Sequence, residues 1–442
     1  MSHPPSPPFI GSPWAPFGLR DDPFFQQPLD PATDAAHPVT LFVGRTHELH
    51  TVANQILGAS SSRALIEGGA GVGKTSFVNR LKVDLQRHGA LLHRHPVRVH
   101  GGMTAHQFLA EVLKVLLQMR ASVLASEASG AIRKVTRRMK DDVPVDDEGI
   151  FWRRIGRLIQ GEDSIAGGVS IMGSGAERER IRIPAEVAHL SLFSELEDAV
   201  RYLSKRGARK VVIHVNNLEN LSGDDSKQAA ALMRELRDAF LVDHCHWLFV
   251  GTTGIARQVF GASPQIRDIV PITIALAPLE PSDVQALLDV RYRHLQMGLR
   301  LIPPVTASDG ARLYARYRGE LRGFLRLLSQ SVQRRSIGEP GVALPAETVV
   351  AEMAEVYYAS VLVHRVGPVV ASHLKAVYAG KPWTAVFRGT DLAAAAHITP
   401  ASASELIKRL LRDGVVEIAE RKGRSVYHRL AGGDYAVALN LV

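Results

Sequence analysis

The sequence is poor in the features that mark secreted, disulfide-bonded and membrane proteins. Cys245 is the single cysteine among 442 residues, which excludes an internal disulfide framework and fits a reducing compartment. It adjoins an apolar run, so we interpret it as a buried, inert thiol. The chain does not open with a basic segment followed by an apolar one, and no apolar run could span a bilayer. We therefore expect a cytoplasmic protein with no membrane partner.

The bulk composition is that of an ordinary globular protein, but the charge is one-sided. Hydrophobic residues make up 46% and charged residues 22%, and the length predicts two or three domains. The formal net charge is +9. Such an excess favours an acidic partner such as nucleic acid.

Residues 68–75 read Gly-Gly-Ala-Gly-Val-Gly-Lys-Thr, which is a complete Walker A phosphate-binding loop. An apolar stretch precedes it and a helical pattern follows it, as the motif requires. The glycines let main-chain N–H groups surround phosphates, and the helix N-terminus adds its positive dipole end. The predicted ligands are ATP and Mg²⁺, with Lys74 on the β- and γ-phosphates and the Thr75 hydroxyl on the metal. The predicted cofactor-binding residues of this loop are Gly68, Gly69, Ala70, Gly71, Val72, Gly73, Lys74, Thr75 and Ser76.

The chain divides into four predicted parts. Residues 1–38 hold ten of the 24 prolines and are expected to form an extended arm, with 17–24 packing on the next domain. Residues 39–280 alternate strands with helices, which predicts an α/β fold with a parallel sheet covered on both faces. Residues 281–360 read as a mainly helical lid, and 365–442 as a separate small unit.

Within 39–280 the apolar patterning predicts particular elements. Strands are expected at 63–67, 91–99, 210–215, 246–251 and 271–276. Helices are expected at 47–58, 74–88, 104–119, 186–205 and 226–240. Residues 121–184 interrupt the alternation as an insertion with a basic stretch and a hairpin of 164–172 against 177–183. This insertion is either a surface decoration or a contact for a subunit or DNA.

A P-loop enzyme usually carries acidic residues at the tip of the strand next to the loop, to hold the water shell of Mg²⁺ and orient the attacking water. The candidate strand, 210–215, ends instead in Asn216 and Asn217. An amide can neither take a proton nor neutralise a metal. Glu219, Asp224 or Asp225 could substitute, although none is at the usual spacing. We expect ATP binding with slow or impaired hydrolysis, so that bound nucleotide acts as a switch.

Residues 42–49, Phe-Val-Gly-Arg-Thr-His-Glu-Leu, resemble the adenine-side box of AAA+ ATPases of the origin-recognition or initiator type, and of the related STAND ATPases. This resemblance places Val43, Gly44 and Arg45 beside the nucleotide. It also implies sensor 1 at Thr252 or Thr253, an arginine finger for a neighbouring subunit at Arg267, and sensor 2 at Arg322. The paired asparagines depart from the family pattern.

The last unit resembles a winged helix-turn-helix. A short helix capped by Thr390 leads to a second helix with Thr399 at its N-cap and Pro400 at its first position, ending at Gly414. Two alternating strands, 415–420 and 425–430, follow around a basic tip. Residues 365–442 carry eleven Lys or Arg against six Asp or Glu, which suits phosphate contacts. The predicted DNA-binding residues are Ser402, Lys408, Arg409, Arg412, Arg421, Lys422 and Arg424.

These patterns leave three functions open. The first is an ATP-switched AAA+ protein that assembles on double-stranded DNA. The second is a STAND-like signalling or defence ATPase that oligomerises and gates a separate effector protein. The third is a transposition-type targeting ATPase, because the arm at 17–24 resembles the opening of such proteins. A winged helix used only for protein contacts is the alternative for the C-terminal unit.

Overall fold

The structure is a computed structural model. It describes residues 12–32, 35–135, 151–152, 155, 185–205, 210–221, 226–261, 268–317, 320–423 and 425–442. The predicted hairpin of 164–183 and most of the basic stretch lie outside these residues. Among the described residues, no helix combines the length and the apolar character needed to cross a bilayer.

One parallel sheet organises the first part of the chain. Its strands are β1 (Ser62–Gly68), β2 (Ala90–Leu92), β3 (Val97–Arg98), β4 (Lys210–Asn216), β5 (Cys245–Gly251) and β6 (Ile272–Leu276). The order is β2-β4-β5-β1-β6, with β3 also pairing with β4. β1 therefore lies between β5 and β6, and all these pairs are parallel. The predicted α/β class with a parallel sheet is confirmed.

Helices cover both faces of this sheet. They are α1 (Thr46–Gly58), α2 (Lys74–Arg87), α3 (Ala105–Val135), α4 (Ala185–Lys205) and α5 (Ser226–Glu235). Side chains of α1 and α2 pack on one face with Ile66 of β1. Side chains of α3, α4 and α5 pack on the other face with Leu65. The alternation of Leu65 and Ile66 between two cores is the two-sided burial expected for a parallel strand.

Three of the predicted boundaries in this region were wrong. Helix α3 runs to Val135 rather than ending at 119, because the sequence after 119 has no proline and no glycine before Gly130. Helix α5 ends at Glu235, and a 3₁₀ turn at Ala239–Leu241 follows it. The strand predicted at 91–99 is split into β2 and β3. Between the two strands, Lys82 Nζ donates hydrogen bonds to the main-chain carbonyl oxygens of His93 and Arg94.

Residues 281–357 are mainly helical, as expected. The helices are α6 (Pro281–Leu295), α7 (Ala307–Arg316), α8 (Leu321–Ser336) and α9 (Ala346–Tyr357). The arm packs on them through buried Trp14, Phe17, Leu19 and Phe24. Main-chain bonds tie it down, from Arg20 N to Leu295 O at 2.9 Å and from Met297 N to Gly18 O at 2.7 Å. Residues 17–24 therefore pack as predicted, but on the helical segment 281–357 and not on the next domain along the chain.

The C-terminal unit consists of α10 (Pro368–Val377), α11 (Gly389–Ala396), α12 (Pro400–Arg412), the antiparallel strands β7 (Val416–Lys422) and β8 (Ser425–Leu430), and α13 (Gly433–Ala438). Thr399 caps α12 through a bond from Ser402 N, as predicted. Thr390 does not cap α11. Arg388 is the N-cap, and its N–H donates to Asp391 Oδ2 at 2.8 Å, so Thr390 lies inside the helix.

The buried side chains show how the parts are joined. The arm, the helices α6–α9 and the C-terminal unit share one continuous hydrophobic core, which includes Phe17, Phe324, Tyr357, Leu374 and Val437. Cys245 lies in the separate core under α3, and burial raises the pKa of its thiol far above the usual range. This agrees with its interpretation as an inert thiol.

Candidate nucleotide site and C-terminal basic surface

The loop between β1 and α2 has the backbone of a phosphate cradle. Gly71 and Gly73 adopt φ values of 77° and 93°, a region that side-chain-bearing residues rarely enter. Lys74 begins α2, and its Nζ donates to the main-chain oxygens of Gly68 at 2.7 Å and Gly69 at 3.0 Å. Thr75 follows on the same helical turn and is exposed. N–H groups at a helix N-terminus beside an ammonium group form an anion-binding site.

Two predicted residues from distant parts of the chain reach this loop. A Cβ on Gly71 would come within 3.0 Å of Arg322 Cβ, so the first turn of α8 lies directly against the cradle. Burial lowers the pKa of Lys74, and Arg322 adds to that shift while Glu219 opposes it. Lys74 is therefore flanked by one acid and one additional cation, 145 and 248 residues away in sequence.

Glu219 is delivered by an unusual turn at the end of β4. Asn217 adopts a left-handed backbone with φ of 65°, and the 3₁₀ turn Leu218–Leu221 follows it. Asparagine tolerates this conformation better than most other residues. The identity of Asn217 therefore has a backbone explanation, which the sequence alone does not reveal.

The end of β4 is not on the strand beside the loop, contrary to our expectation. β5 lies between β1 and β4, with Ile66 opposite Val250 and Ile213 opposite Trp247. Along β4, Val212 packs with α2 whereas Ile213 packs with α3. The alternation places Asn216 on the face of the sheet that carries α2. Asn216 therefore lies at the carboxyl end of β4 on the same face of the sheet as α2, the helix that carries Thr75.

The box at 43–45 lies between the loop, β6 and α6. Arg45 Nη2 donates to Val72 O and to Ala277 O, both at 2.8 Å, and burial lowers the pKa of its guanidinium. A Cβ on Gly44 would come within 2.9 Å of the Asp283 carboxylate. Val43 packs against the core of α6–α9. These residues hold the loop against the helical segment.

Thr252 extends β5 one residue beyond the pair formed by Gly251 and Glu67, so it lies level with the first glycine of the loop. Glu67 was missed by sequence reasoning. Its Oε2 accepts from Gly254 N at 3.1 Å and from Ala256 N at 3.4 Å. It thereby ties β1 to the turn that follows Thr252. Its position directly before Gly68, the first residue of the loop, is the sequence feature that could have indicated a role at this site.

Ser76 was predicted to bind the cofactor, but the structure gives its hydroxyl another partner. Ser76 Oγ accepts from Leu29 N at 3.1 Å, and Asn79 Nδ2 donates to Leu29 O at 2.7 Å. The arm is thus fastened to the helix that carries Lys74. The reason is geometric, because Ser76 and Asn79 are three residues apart on one helix face.

Some of the predicted site residues lie outside the part of the chain that the structure describes. They are Arg267, Arg424 and the acids at 224–225. Among the residues that are described, no group of three or more His, Cys, Asp and Glu side chains is arranged to hold a metal ion.

The predicted basic surface of the C-terminal unit is exposed, but much of its charge is already paired. Ser402, Lys408, Arg409, Arg412, Arg421 and Lys422 are all exposed. Lys408 Nζ lies 2.6 Å from Glu405, and Lys422 Nζ lies 3.0 Å from Glu420. Arg409 and Arg412 each lie 3.5 Å from Asp413. Exposed pairs of this kind are weak and exchange partners readily.

The sequence of residues 41–250 matches the family described as the AAA ATPase domain, and this range contains β1–β5, the cradle and Glu219. This part of the chain resembles an AAA ATPase domain. The match begins at the residues of the predicted adenine-side box and ends at the last residues of β5. The recognition of an AAA+ P-loop fold from sequence is confirmed.

The chain also aligns with solved structures at low sequence identity. The ORC2 protein of Aeropyrum pernix, in ADPNP–ADP complexes, shares 13% identity over 96% of this chain and 98% of that chain, with a TM-score of 0.48. A Walker-type ATPase of Pyrococcus abyssi shares 10% identity over 95% and 99%, with a TM-score of 0.47. The ORC1 protein of Aeropyrum pernix in complex with DNA shares 15% identity over 90% and 92%, with a TM-score of 0.41. No curated protein matches the sequence significantly.

Proposed function

We propose that this AAA protein binds ATP with Mg²⁺ and uses the nucleotide state to control its assembly on double-stranded DNA. The observation that carries the nucleotide part is the setting of Lys74, which lies in a glycine cradle with Glu219 and Arg322 beside it. Glycines in the left-handed region leave room for phosphate oxygens, and two cations offset part of the negative charge of a triphosphate. The cradle therefore fits ATP.

Each residue at the site has a separate task in this proposal. Lys74 and Arg322 hold the phosphates, and the Thr75 hydroxyl and Asn216 face the metal side. A bound Mg²⁺ would neutralise phosphate charge during hydrolysis. Glu219 is the acid that can orient water, since amides replace the usual pair. Slow hydrolysis follows, because neither Asn216 nor Asn217 can accept a proton.

The DNA part of the proposal is supported by the C-terminal unit. Helices α11 and α12 are followed by the β7–β8 hairpin, and β8 is bridged to Phe387 by two bonds of 2.8 Å with His428. This order of elements supports a winged helix, a module whose second helix enters the major groove and whose hairpin contacts the DNA backbone. The exposed side chains of α12 and the hairpin tip are the contact residues. The location would then be the cytoplasm, on DNA.

A second candidate is the STAND-like function with a separate effector protein. It is favoured by the pairing of Lys408, Lys422, Arg409 and Arg412 with neighbouring acids, which gives the surface both signs of charge. A mixed surface suits a protein partner better than a polyphosphate chain. Both candidate functions include self-association, in which Arg267 would reach a neighbouring subunit.

Binding measurements on the full-length chain separate these functions. Lys74→Ala should abolish binding of a fluorescent ATP analogue. Wild type should bind a labelled DNA duplex with an affinity that falls steeply with salt, because phosphate contacts release counterions. Replacing Arg421 and Lys422 by Glu should weaken that binding across sequences. Lys375→Glu is the matched control, since Lys375 is an exposed cation of the same unit outside α12 and the hairpin.

Two results of these measurements would contradict the proposed function. Unchanged ATP-analogue affinity in Lys74→Ala would contradict the nucleotide site. A wild-type chain that binds the ATP analogue but shows no salt-sensitive affinity for DNA would turn the C-terminal unit into a protein-docking surface. The STAND-like function would then replace the first proposal.

A further inference from the structure

The helix that carries Arg322 is clamped to the C-terminal unit by polar contacts. Glu320 is the N-cap residue of α8, and its Oε2 accepts from Gly433 N at 2.5 Å. The Tyr317 hydroxyl donates to Asp434 Oδ1 at 2.6 Å, and Arg326 forms an ion pair with Asp434 Oδ2. Tyr317 at the C-cap of α7, Glu320 at the N-cap of α8 and Arg326 within α8 thus hold the first two residues of α13.

The packing at this contact is as close as the hydrogen bonding. A Cβ on Gly433 would come within 2.3 Å of the Tyr317 ring, and a Cβ on Gly432 within 3.2 Å of a Glu320 carboxylate oxygen. A side chain at position 433 would collide with the Tyr317 ring and push α13 away from it, so this close approach requires glycine there. At position 432 a side chain would need only a small shift of the Glu320 carboxylate.

The same turn of α8 lies against the nucleotide cradle. Arg322 is two residues after Glu320, and its Cβ would be 3.0 Å from a Cβ on Gly71. A displacement of the α8 N-terminus therefore moves Arg322 relative to Lys74. Burial raises the pKa of Glu320, and the bond from Gly433 and the charge of Arg326 oppose that shift. The C-terminal contact thus stabilises the ionised form of a partly buried acid.

We propose that α13 is a positioning element for Arg322. Glu320, Tyr317 and Arg326 transmit the position of the C-terminal unit to the nucleotide cradle, so that triphosphate recognition and DNA binding regulate each other. The inference rests on the proposed function, because it deepens the role of the same site. Coupling of this kind is reciprocal, so DNA on the C-terminal unit raises ATP affinity by the factor by which ATP raises DNA affinity.

The experiment compares affinities of the full-length chain for fluorescent ATP and ADP analogues. Arg322→Ala should reduce the preference for ATP, since the arginine addresses the γ-phosphate. Asp434→Asn and Gly433→Ala should reduce it in the same direction, by about tenfold, which lies within the usual range of coupling between sites. The double variant Arg322→Ala, Asp434→Asn should be no worse than Arg322→Ala alone, because both changes act on one interaction.

The controls distinguish positioning from general damage. Asp413→Asn makes the same chemical change in the same unit, but its carboxylate pairs with Arg409 and Arg412, so it should leave the ATP preference unchanged. Loss of affinity for both analogues alike would indicate a merely structural role and overturn the proposal. Tyr317→Phe removes one hydrogen bond and serves if Asp434→Asn melts below the assay temperature.

The outcomes also separate this inference from the proposed function. A wild-type chain that binds neither analogue overturns the proposed function and the inference with it. A wild-type chain that prefers ATP, with Asp434→Asn and Gly433→Ala showing the same preference, overturns the inference alone. A duplex that raises ATP affinity of wild type but not of Asp434→Asn would confirm the reciprocal arm.

Discussion

Gly71 and Arg322 face each other with no room between them. A Cβ on Gly71 would stand 3.0 Å from Arg322 Cβ, and the glycine backbone has φ of 77°. A loop residue and a helix residue separated by 251 positions in sequence therefore form one wall of the candidate site. The approach needs a residue without a side chain at position 71.

Gly71→Ala should therefore impair the site twice, through the strained backbone and through the contact with Arg322. We expect binding of an ATP analogue to fall by at least about tenfold, which corresponds to about 1.4 kcal/mol. Fluorescence titration measures the change. Gly89→Ala is the matched control, because Gly89 also has positive φ (79°) but has open space around its Cβ. Equal losses in the two variants would mean that the Arg322 contact is irrelevant.

Asn216→Asp should raise the rate of ATP hydrolysis, since it restores a carboxylate on the face of the sheet that carries α2. Asn217→Glu alone should help less, because glutamate is strained at φ of 65°. Steady-state phosphate release measures both. Asn217→Gly is the control that relieves backbone strain without adding an acid. An increase in Asn217→Glu that exceeds the one in Asn216→Asp would contradict this assignment.

A substitution at Glu219 provides a second test of the assignment of ATP hydrolysis. Glu219→Gln should lower the residual hydrolysis rate, and it should also weaken ATP-analogue binding little, since the acid lies beside Lys74 rather than in the cradle. Measured in parallel, the rate and the affinity separate its two roles. A rate equal to that of wild type would contradict the assignment of Glu219 to this step.

The arm should be released by a change at α2. Asn79→Ala removes the bond to Leu29 O and leaves a partly buried carbonyl without that donor, at a cost of about 1–3 kcal/mol for docking of the arm. Limited proteolysis should then cleave within residues 20–40 faster than in wild type. Asn54→Ala on α1 is a comparable change away from the arm. Identical cleavage rates in the two variants would exclude Asn79 as an anchor.

Lys82 should make stability depend on alkaline pH. Its ammonium group is buried, which lowers its pKa from 10.5 to about 8. Below pH 8 the folded protein bears the full cost of the buried charge, and that cost disappears as pH rises from 8 towards 10.5. Between pH 7.5 and 9.5 wild type should gain about 2 kcal/mol of unfolding free energy relative to Lys82→Met. Urea unfolding at both pH values measures the difference, and parallel pH profiles would contradict the burial argument.

Local sequence patterns were sufficient for the sheet and for the cradle. β1, β4, β5 and β6 are short apolar runs, and the glycine spacing before Lys74 requires one backbone geometry. Contacts between distant segments were not predictable in the same way. The αL backbone of Asn217 and the engagement of Ser76 by Leu29 both depend on tertiary packing, which no local pattern encodes. Arg322 was assigned to the site only through the family resemblance, and the structure then showed which residues lie beside it.

The continuous core of the arm, the helices α6–α9 and the C-terminal unit has a consequence for folding. Phe17, Phe324 and Val437 lose their partners together, so these three parts form one cooperative folding unit although the arm and the last helix are at opposite ends of the chain. The nascent chain cannot complete this core until the residues of α13 have been synthesised. A gene truncated before residue 433 would therefore destabilise the arm, more than 400 residues upstream, and not only the unit that it shortens.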